Sequence, residues 1–228
     1  VDINLANDLN SQSNIIGHQS VKINANNITN ESGGEIKGSF VQLTTKSDLN
    51  NLSGTIAADS AMQLDVGGDL NNKSLTYTSD SVDGASNATR TGIAQIASIY
   101  VGDSLKGKTD VDGNPLTTLI ANVGGDTTFS AGRLDNQGGS SFIDTKGDVN
   151  LDAVNVGYQS NSILDNNNFY NQGETKDIGS QITGSNDLLI KAGNNVSGTA
   201  TSINSTNGGV GIIAQGNVDF KEGRSTTN

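Results

Sequence analysis

The sequence lacks cysteine and tryptophan and contains a single proline, Pro115. Without cysteine the chain cannot hold a disulfide scaffold, and most structural zinc sites are excluded as well. No apolar run is long enough for a transmembrane helix. Hydrophobic residues make up 32% of the chain and aromatic residues 4%, whereas an average globular domain is about 45–50% apolar. These shortages favour a thin fold that has little interior per residue.

Basic residues are scarce too, with 13 Lys and Arg against 24 Asp and Glu and a net charge of −11. This balance argues against nucleic acid as a partner, because phosphate binding needs clustered Lys and Arg. Low apolar content with high net charge is typical of disordered chains, but the periodicity described next indicates a folded one. The chain begins at Val1 and not at Met, so we expect it to be a fragment of a longer protein.

Residues 20–74 contain three versions of one repeat, offset from one another by about 20–21 residues. The apolar columns are Val21, Val41 and Met62; Ile23, Leu43 and Leu64; Ile28, Leu49 and Leu70; and Ile36 with Ile56. Within each repeat apolar and polar residues alternate, which is the period of a β-strand. Gly, Asn and Asp divide each repeat into about three short strands. Self-similarity at this period indicates a solenoid in which neighbouring repeats share one core.

We therefore predict an all-β fold: a parallel β-helix of about 20–22 residues per coil, with three short strands in each coil. At one corner Asn10, Asn50 and Asn71, which follow Leu in the phrase Asp-Leu-Asn, are expected to form a ladder of side-chain amides. Ile16 lies one repeat before Ile36 and is expected to extend that column.

The period returns twice, now with a longer step of about 22 residues. The pairs are Ile120 with Phe142, Asp126 with Asp148, Phe129 with Leu151, Leu134 with Val156, Leu188 with Val210, Ile190 with Ile212, and Val196 with Val218. Two aperiodic polar segments, near 75–115 and 157–183, are predicted to be extra-helical β excursions; whether they pair with each other stays open. Residues 1–228 are thus predicted to form one domain of about eight to ten coils, and the tail EGRSTTN is expected to fray.

Few residues suggest catalysis. Most Asp residues recur at corner positions, and a repeated Asp is typical of turn structure. These residues are Asp8, Asp48, Asp69, Asp126, Asp148 and Asp187. The group Asp80, Asp83 and Arg90 in the first excursion is not repeated, so it is the one candidate for acid–base chemistry on a saccharide.

Metal and ligand signals are weaker still. Residues 110–114, DVDGN, resemble half of a calcium loop but lack the downstream Glu. The lone His18 falls at a corner, where a solvated side chain is expected. We therefore predict no catalytic residue, no cofactor and no metal site. The candidate contact surface is the aromatic group Tyr158, Phe169 and Tyr170, which is set among Asn and Gln in the second excursion.

Several stretches carry a resemblance to a known family: GGDLNNKS, AGRLDNQGG, KGDVNLDAV and LLIKAGNNVSGTATSINSTNGGVGIIAQGNVDF. They resemble the haemagglutinin repeats of filamentous-haemagglutinin-like exoproteins, the β-helical partners in two-partner secretion of Gram-negative bacteria. The order of segments over residues 45–220, with a Ser/Asn-rich break before GIAQIASIYVG, looks most like the second haemagglutinin-repeat region of contact-dependent growth inhibition effectors.

The resemblance implies a secreted, cell-surface exoprotein whose repeat region is a stalk or delivery module for a toxin that crosses the outer membrane of a neighbouring cell. The implied partners are the target-cell outer membrane or a surface receptor, and a two-partner-secretion outer-membrane transporter for the parent protein. The family supplies no catalytic residues. Two alternatives stay open, an adhesin or haemagglutinin rod that binds cell surfaces and a β-helical polysaccharide-degrading enzyme. A cleft with converging, non-repeated Asp, Arg and Lys would favour the enzyme.

Overall fold

The computed structural model describes residues 1–163, 165 and 167–228. Residues 164 and 166, inside the second predicted excursion, lie outside the described residues. The described chain is all strand and turn, as predicted, and within it no helix is long and apolar enough to cross a membrane. In chain order the strands are β1 (Asp2–Asn4), β2 (Leu9–Ser11), β3 (Ile15–Ala25), β4 (Ile28–Asn30), β5 (Glu35–Thr45), β6 (Leu49–Leu52), β7 (Thr55–Val66), β8 (Leu70–Lys73), β9 (Thr76–Asp83), β10 (Ser86–Ile93), β11 (Ser98–Val101), β12 (Thr117–Val123), β13 (Thr127–Ser130), β14 (Arg133–Asn136), β15 (Ser140–Thr145), β16 (Val149–Asp152), β17 (Val154–Ile163), β18 (Phe169–Ile178), β19 (Gln181–Gly184), β20 (Leu188–Ala192), β21 (Val196–Thr199), β22 (Ser202–Ser205), β23 (Val210–Ala214), β24 (Val218–Lys221) and β25 (Ser225–Thr227).

Most strands belong to three parallel ladders, each of which gains one strand per repeat. Ladder 1 is the 8-stranded sheet β2-β4-β6-β8-β13-β16-β21-β24. Ladders 2 and 3 are joined in a 12-stranded sheet, because β3, β5 and β7 are long strands that run through the corner between them. Ladder 2 continues from these strands through β11, β14, β19 and β22; ladder 3 begins at β1 and continues through β12, β15, β20 and β23.

The register confirms the four apolar columns of residues 20–74. It also confirms the apolar pairs predicted at the longer step, apart from Leu134 with Val156. Leu134 pairs instead with Ile182, because the chain leaves the ladder at β17 and returns at β19. The prediction for Ile16 is wrong by one position: Ile15 pairs with Ile36, and Ile16 is 55% exposed.

The core lies inside the ladders, because alternate residues of each ladder strand face inward. In β5 the side chains of Ile36, Val41 and Leu43 are fully buried, and Gln42, which lies between the last two, is half-buried. Stacking equivalent positions places aliphatic side chain on aliphatic side chain along the molecule. Burying one such side chain contributes about 1.5–3 kcal/mol. This explains how a chain of only 32% hydrophobic residues can form a continuous core.

A column of Asp and Asn residues occupies the corner that precedes each strand of ladder 1. Each member except the last accepts, on Oδ1, the backbone N–H of the next member, at 2.8–3.1 Å. This Asx ladder consists of Asp8, Asn27, Asp48, Asp69, Asp126, Asp148, Asn195 and Asn217. The predicted turn role of the corner Asp residues is thereby confirmed for those in the Asx ladder. Asp187 lies at another corner, where its Oδ1 accepts a hydrogen bond from the Gly209 amide at 2.8 Å.

The Asx ladder also explains the recurring Gly-Asp phrase. A Cβ on Gly68 would overlap Asp48 Oδ1, and a Cβ on Gly125 would overlap Asp69 Oδ1. Glycine therefore leaves room for the carboxylate of the preceding repeat.

A second amide column lies inside the core. Asn30, Asn51 and Asn72 are fully buried, and Asn30 Nδ2 donates to Asn51 Oδ1 at 2.8 Å while Asn51 Nδ2 donates to Asn72 Oδ1 at 2.7 Å. The column begins at Asn30 because ladder 1 carries Ser11 at the equivalent position of β2. Asn30 Oδ1 is accordingly the one buried side-chain atom, within the described residues, that lacks a hydrogen-bond partner. The predicted outer amide ladder is confirmed only in part, since Asn71 donates to Asn50 but Thr29 separates Asn50 from Asn10.

The two predicted excursions do pair with each other, in a separate 5-stranded antiparallel sheet of order β25-β18-β17-β10-β9. After β10 the chain returns through β11 to ladder 2, where Ile99 pairs with Ile56 and Leu134. The C-terminal strand β25 pairs with β18 through Thr226 and Thr175. The expectation that the tail frays is therefore wrong, because the second excursion offers it a strand edge.

Candidate contact surface

The antiparallel sheet is built from two hairpins and the C-terminal strand. In the first hairpin the connection between β9 and β10 is Gly84–Ala85, and Gly84 has a φ of 59°. This left-handed backbone matches the twist of a two-residue β-hairpin turn. The second hairpin, β17 and β18, pairs with the first through β10 and β17. A hydrogen bond from the Ile163 amide to Ser86 Oγ, at 3.0 Å, joins the two hairpin ends.

The register determines which side chains share a face of this sheet. Ser79, Arg90, Tyr158, Glu174 and Thr227 lie opposite one another in one row across the five strands. Residues paired in this way point to the same side, and residues alternate along each strand. We call the side that carries this row the groove face. Tyr158 lies at the centre of the row, between Arg90 and Glu174.

A groove of about 450 Å³ lies on the groove face. Its lining includes Tyr77, Arg90, Tyr158, Glu174, Lys176, Val156 and Ile178. The Tyr77 ring lies across Gly92, since a Cβ added there would be only 2.9 Å from Tyr77 Oη. Tyr158 Oη accepts a hydrogen bond from Gln172 Nε2 at 2.8 Å, which orients the second ring. The groove therefore combines two tyrosine rings with charged and apolar groups.

Within the described residues, the charged groups of the groove have no partners of opposite charge. The ion pairs found among the described residues are Lys146–Asp144, beside ladder 3, and Lys221–Asp219, on ladder 1. Arg90, Lys176 and Glu174 therefore take part in none. Arg90 and Glu174 are two strands apart, about 10 Å at the usual strand spacing. Two cations and one carboxylate make the groove locally positive on a chain of net charge −11.

Four exposed apolar side chains lie near the far end of the two hairpins. These residues, which we call the tip cluster, are Val82 (75% exposed), Phe169 (69%), Tyr170 (59%) and Ile163 (38%). Ile163 and Phe169 are directly paired, and the register places Val82 on the same face, opposite the groove face. Tyr170 points to the groove face, because it follows Phe169 along β18. Apolar side chains thus emerge from both faces of the sheet at its end.

The three aromatic residues predicted as a contact surface all lie in this sheet but do not form one cluster. Tyr158 is in the groove, whereas Phe169 and Tyr170 are in the tip cluster. Tyr170 pairs with Ser162, four positions from Tyr158 along β17, a distance of about 13 Å. Phe169 is on the other face.

Sequence reasoning missed the groove partners Tyr77, Arg90 and Lys176 as a set, and it missed Val82 and Ile163 at the tip. Alternation along each excursion gives the face of a residue within its own strand. No sequence signal, however, relates the register of the first hairpin to that of the second, so the grouping required the pairing of β10 with β17.

The candidate acid–base group is not assembled. Asp80 and Arg90 occupy opposite faces of the first hairpin, and Asp80 accepts a hydrogen bond from its strand partner Thr89 at 2.7 Å. Asp83 is at the turn, four positions along β9 from Ser79, the partner of Arg90. These carboxylates therefore do not converge with Arg90 on one substrate.

The calcium-like loop uses its carboxylate for the turn itself. Asp110 Oδ1 accepts the backbone N–H groups of Asp112 and Asn114, both at 2.9 Å, and the Asn114 bond is the main reason that the pKa of Asp110 is lowered. No group of three His, Cys, Asp or Glu side chains within residues 1–163, 165 and 167–228 could hold a metal ion. His18 is exposed, in β3.

Comparisons with protein-family models, with curated proteins and with solved structures gave no match to this chain.

Proposed function

We propose that this chain is a parallel β-helical repeat region of a secreted, cell-surface exoprotein, and that it serves as a stalk and delivery module for a contact-dependent growth inhibition toxin. One observation carries the proposal: a separate antiparallel sheet whose end exposes Val82, Ile163, Phe169 and Tyr170 to solvent. The ladders do not need this sheet for their own pairing, so it is available for contact.

The β-helical part of the proposal rests on the ladders. Each repeat adds strands to parallel ladders, and the Asx ladder connects successive corners of the chain. A rod of this kind presents the same corners at every level. The resemblance of its repeats to filamentous-haemagglutinin-like exoproteins supports a stalk role.

The tip cluster suits contact with a target-cell outer membrane. Groups of apolar side chains that a monomer exposes to solvent mark sites of contact with other proteins or with membranes. Tyr170 has an apolar ring with a polar hydroxyl, the combination that is enriched where hydrocarbon meets headgroups. Phe169 can bury its ring in the same membrane from the other face of the sheet. The two-partner-secretion transporter of the proposed parent protein would bring the rod to the surface from which it reaches that membrane.

An adhesin rod is the second candidate, and the groove favours it. Two tyrosine rings and two cations in one groove are a recognition surface for a soluble or surface-bound ligand. This candidate uses the same sheet but needs no contact between the tip cluster and lipid.

Vesicle binding by the purified chain tests the proposal. Phospholipid vesicles that contain lipopolysaccharide should bind the unmodified chain, and the double variant Phe169→Ser, Tyr170→Ser should bind at least about tenfold more weakly, because each buried aromatic ring contributes about 1.5–3 kcal/mol. The matched control is Val111→Ser, which removes a fully exposed apolar side chain (101%) from the loop between β11 and β12. If the double variant bound as well as the Val111 control, the delivery proposal would be wrong.

A further inference from the structure

We propose that the groove of the antiparallel sheet is a binding site for an acidic saccharide, a sugar that carries a carboxylate. The inference deepens the proposed function and rests on it for its biological setting, since it names the chemical class of surface that the rod would contact. The site itself is argued from the side chains on the groove face.

The cations select for a carboxylate. Arg90 and Lys176 line the groove and have no ion-pair partner within the described residues. Both are exposed, so an incoming anion can reach them without breaking an existing contact. A guanidinium binds a carboxylate through two parallel hydrogen bonds, and an ammonium adds a second charge-assisted bond. The net charge of −11 repels anions from the chain as a whole, whereas Arg90 and Lys176 attract them locally to the groove.

The tyrosines suit the ring of a sugar. The Tyr77 ring lies across Gly92, and the Tyr158 hydroxyl accepts a hydrogen bond from Gln172. The electron-rich face of an aromatic ring attracts the C–H bonds on one side of a pyranose. Glu174, next to Tyr158 in the row, provides an acceptor for the sugar hydroxyls. The carboxylate of the sugar would thus contact the two cations, its ring the two tyrosines, and its hydroxyls Glu174.

The position of the groove argues against an acidic peptide. Extended peptides bind a sheet by adding a strand to its edge, whereas this groove lies on the face of the sheet and includes residues of β9, β10, β17 and β18. Its volume of about 450 Å³ is within the range of small-ligand sites, about 300–1,000 Å³. A short saccharide fits this shape and charge better than a chain of residues.

Calorimetric titration of the purified chain tests the inference. Digalacturonate should bind, and its dimethyl ester, which has the same rings without charge, should bind at least about tenfold more weakly. Arg90→Gln and Lys176→Gln should each weaken digalacturonate binding by about tenfold. Lys146→Gln, which removes a lysine beside the ladders that pairs with Asp144, should leave the binding unchanged. Because Arg90 and Lys176 are exposed, the unfolding midpoints of these variants should match that of the parent chain.

Equal binding of acid and ester, or unchanged binding in both groove variants, would overturn the inference. Vesicles with and without acidic-core lipopolysaccharide separate a membrane-bound source of the sugar from a free one. Stronger binding to the acidic vesicles that is lost in the Arg90 and Lys176 variants assigns the membrane source. Binding of digalacturonate without such a gain in vesicle binding assigns the free source. The Phe169→Ser, Tyr170→Ser variant should retain digalacturonate binding. Vesicle binding by that variant tests the delivery proposal, whereas digalacturonate binding by the groove variants tests the saccharide inference. The two can therefore fail independently.

Discussion

At the scale of single residues, the neighbouring Asn50 and Asn51 have different roles because successive side chains leave β6 on opposite faces. Asn50 is half-buried and accepts one hydrogen bond, from Asn71. Asn51 is fully buried; its amide donates to Asn72 and to two backbone carbonyls and accepts from Asn30. The two residues therefore form a matched pair for measuring what the inner column contributes to stability.

Asn51→Ala should lower the free energy of unfolding by about 2–4 kcal/mol, because it leaves buried donors and acceptors unpaired and opens a cavity. Asn50→Ala, at the next position, should cost no more than about 1 kcal/mol. Urea denaturation monitored by circular dichroism gives both values. Equal costs for the two variants would show that the inner amides add nothing beyond the outer ones.

The outer pair Asn50–Asn71 could be predicted from the sequence, because the Asp-Leu-Asn phrase repeats. The inner column could have been found from the alternation of side chains along β6 alone, because Leu49 faces inward and Asn51, two positions later, must face the same way. It was missed because an inward polar residue is unfavourable unless it is hydrogen-bonded. The partners that satisfy Asn51, in the preceding and following repeats, appear only in the structure.

At the scale of elements, the C-terminal strand β25 is held by a carboxylate of the second excursion. Asp177 accepts a hydrogen bond from Asn155 Nδ2 at 2.8 Å and one from the backbone N–H of Arg224 at 2.9 Å. These bonds, the Asn155 bond first, hold the pKa of Asp177 below its ordinary value of 3.8. Asp177 thus connects both strands of its hairpin with the residue that precedes β25.

The docking of β25 should depend on pH. Because the pKa of Asp177 is lowered in the folded chain, the stabilisation is present above the ordinary value of 3.8 and is lost as the pH falls through the lower, folded value. The backbone amide resonance of Arg224 should therefore shift as the solution is acidified below pH 3.8. Asp177→Asn should abolish this titration. Asp219→Asn, on β24, should leave it intact; a titration that survived Asp177→Asn would contradict the assignment.

The ladder strands were predictable because their apolar columns repeat. A repeating column indicates which residues of successive repeats pair, and that their side chains point into the core. The prediction failed where the repeat is locally irregular. A bulge after Gly17 shifts the register of β3 relative to β5, so Ile15 and not Ile16 faces Ile36. A shift by a single position reverses the face of a side chain, which is why Ile16 is exposed.

At the scale of the whole molecule, eight strands in ladder 1 give a length of about 34 Å at the usual strand spacing. Eight levels lie at the lower end of the eight to ten coils predicted from the sequence. The two β excursions were predicted, but their pairing in one sheet was not, because it joins β10 to β17 across a long stretch of chain that belongs mainly to the ladders. Its strands have no repeating partner, and their polar sequences fit many registers. The candidate site lies where the periodic signal stops.

The most direct test of the delivery proposal is hydrogen–deuterium exchange of the purified chain with and without lipopolysaccharide-containing vesicles. The proposal predicts that vesicles slow exchange at the hairpin ends, in peptides that contain Val82 and residues 167–171, while the ladder strands are unchanged. Slower exchange along the ladders with no change at the hairpin ends, or no change anywhere, would contradict the proposal that the tip cluster is the part of this rod that meets a target membrane.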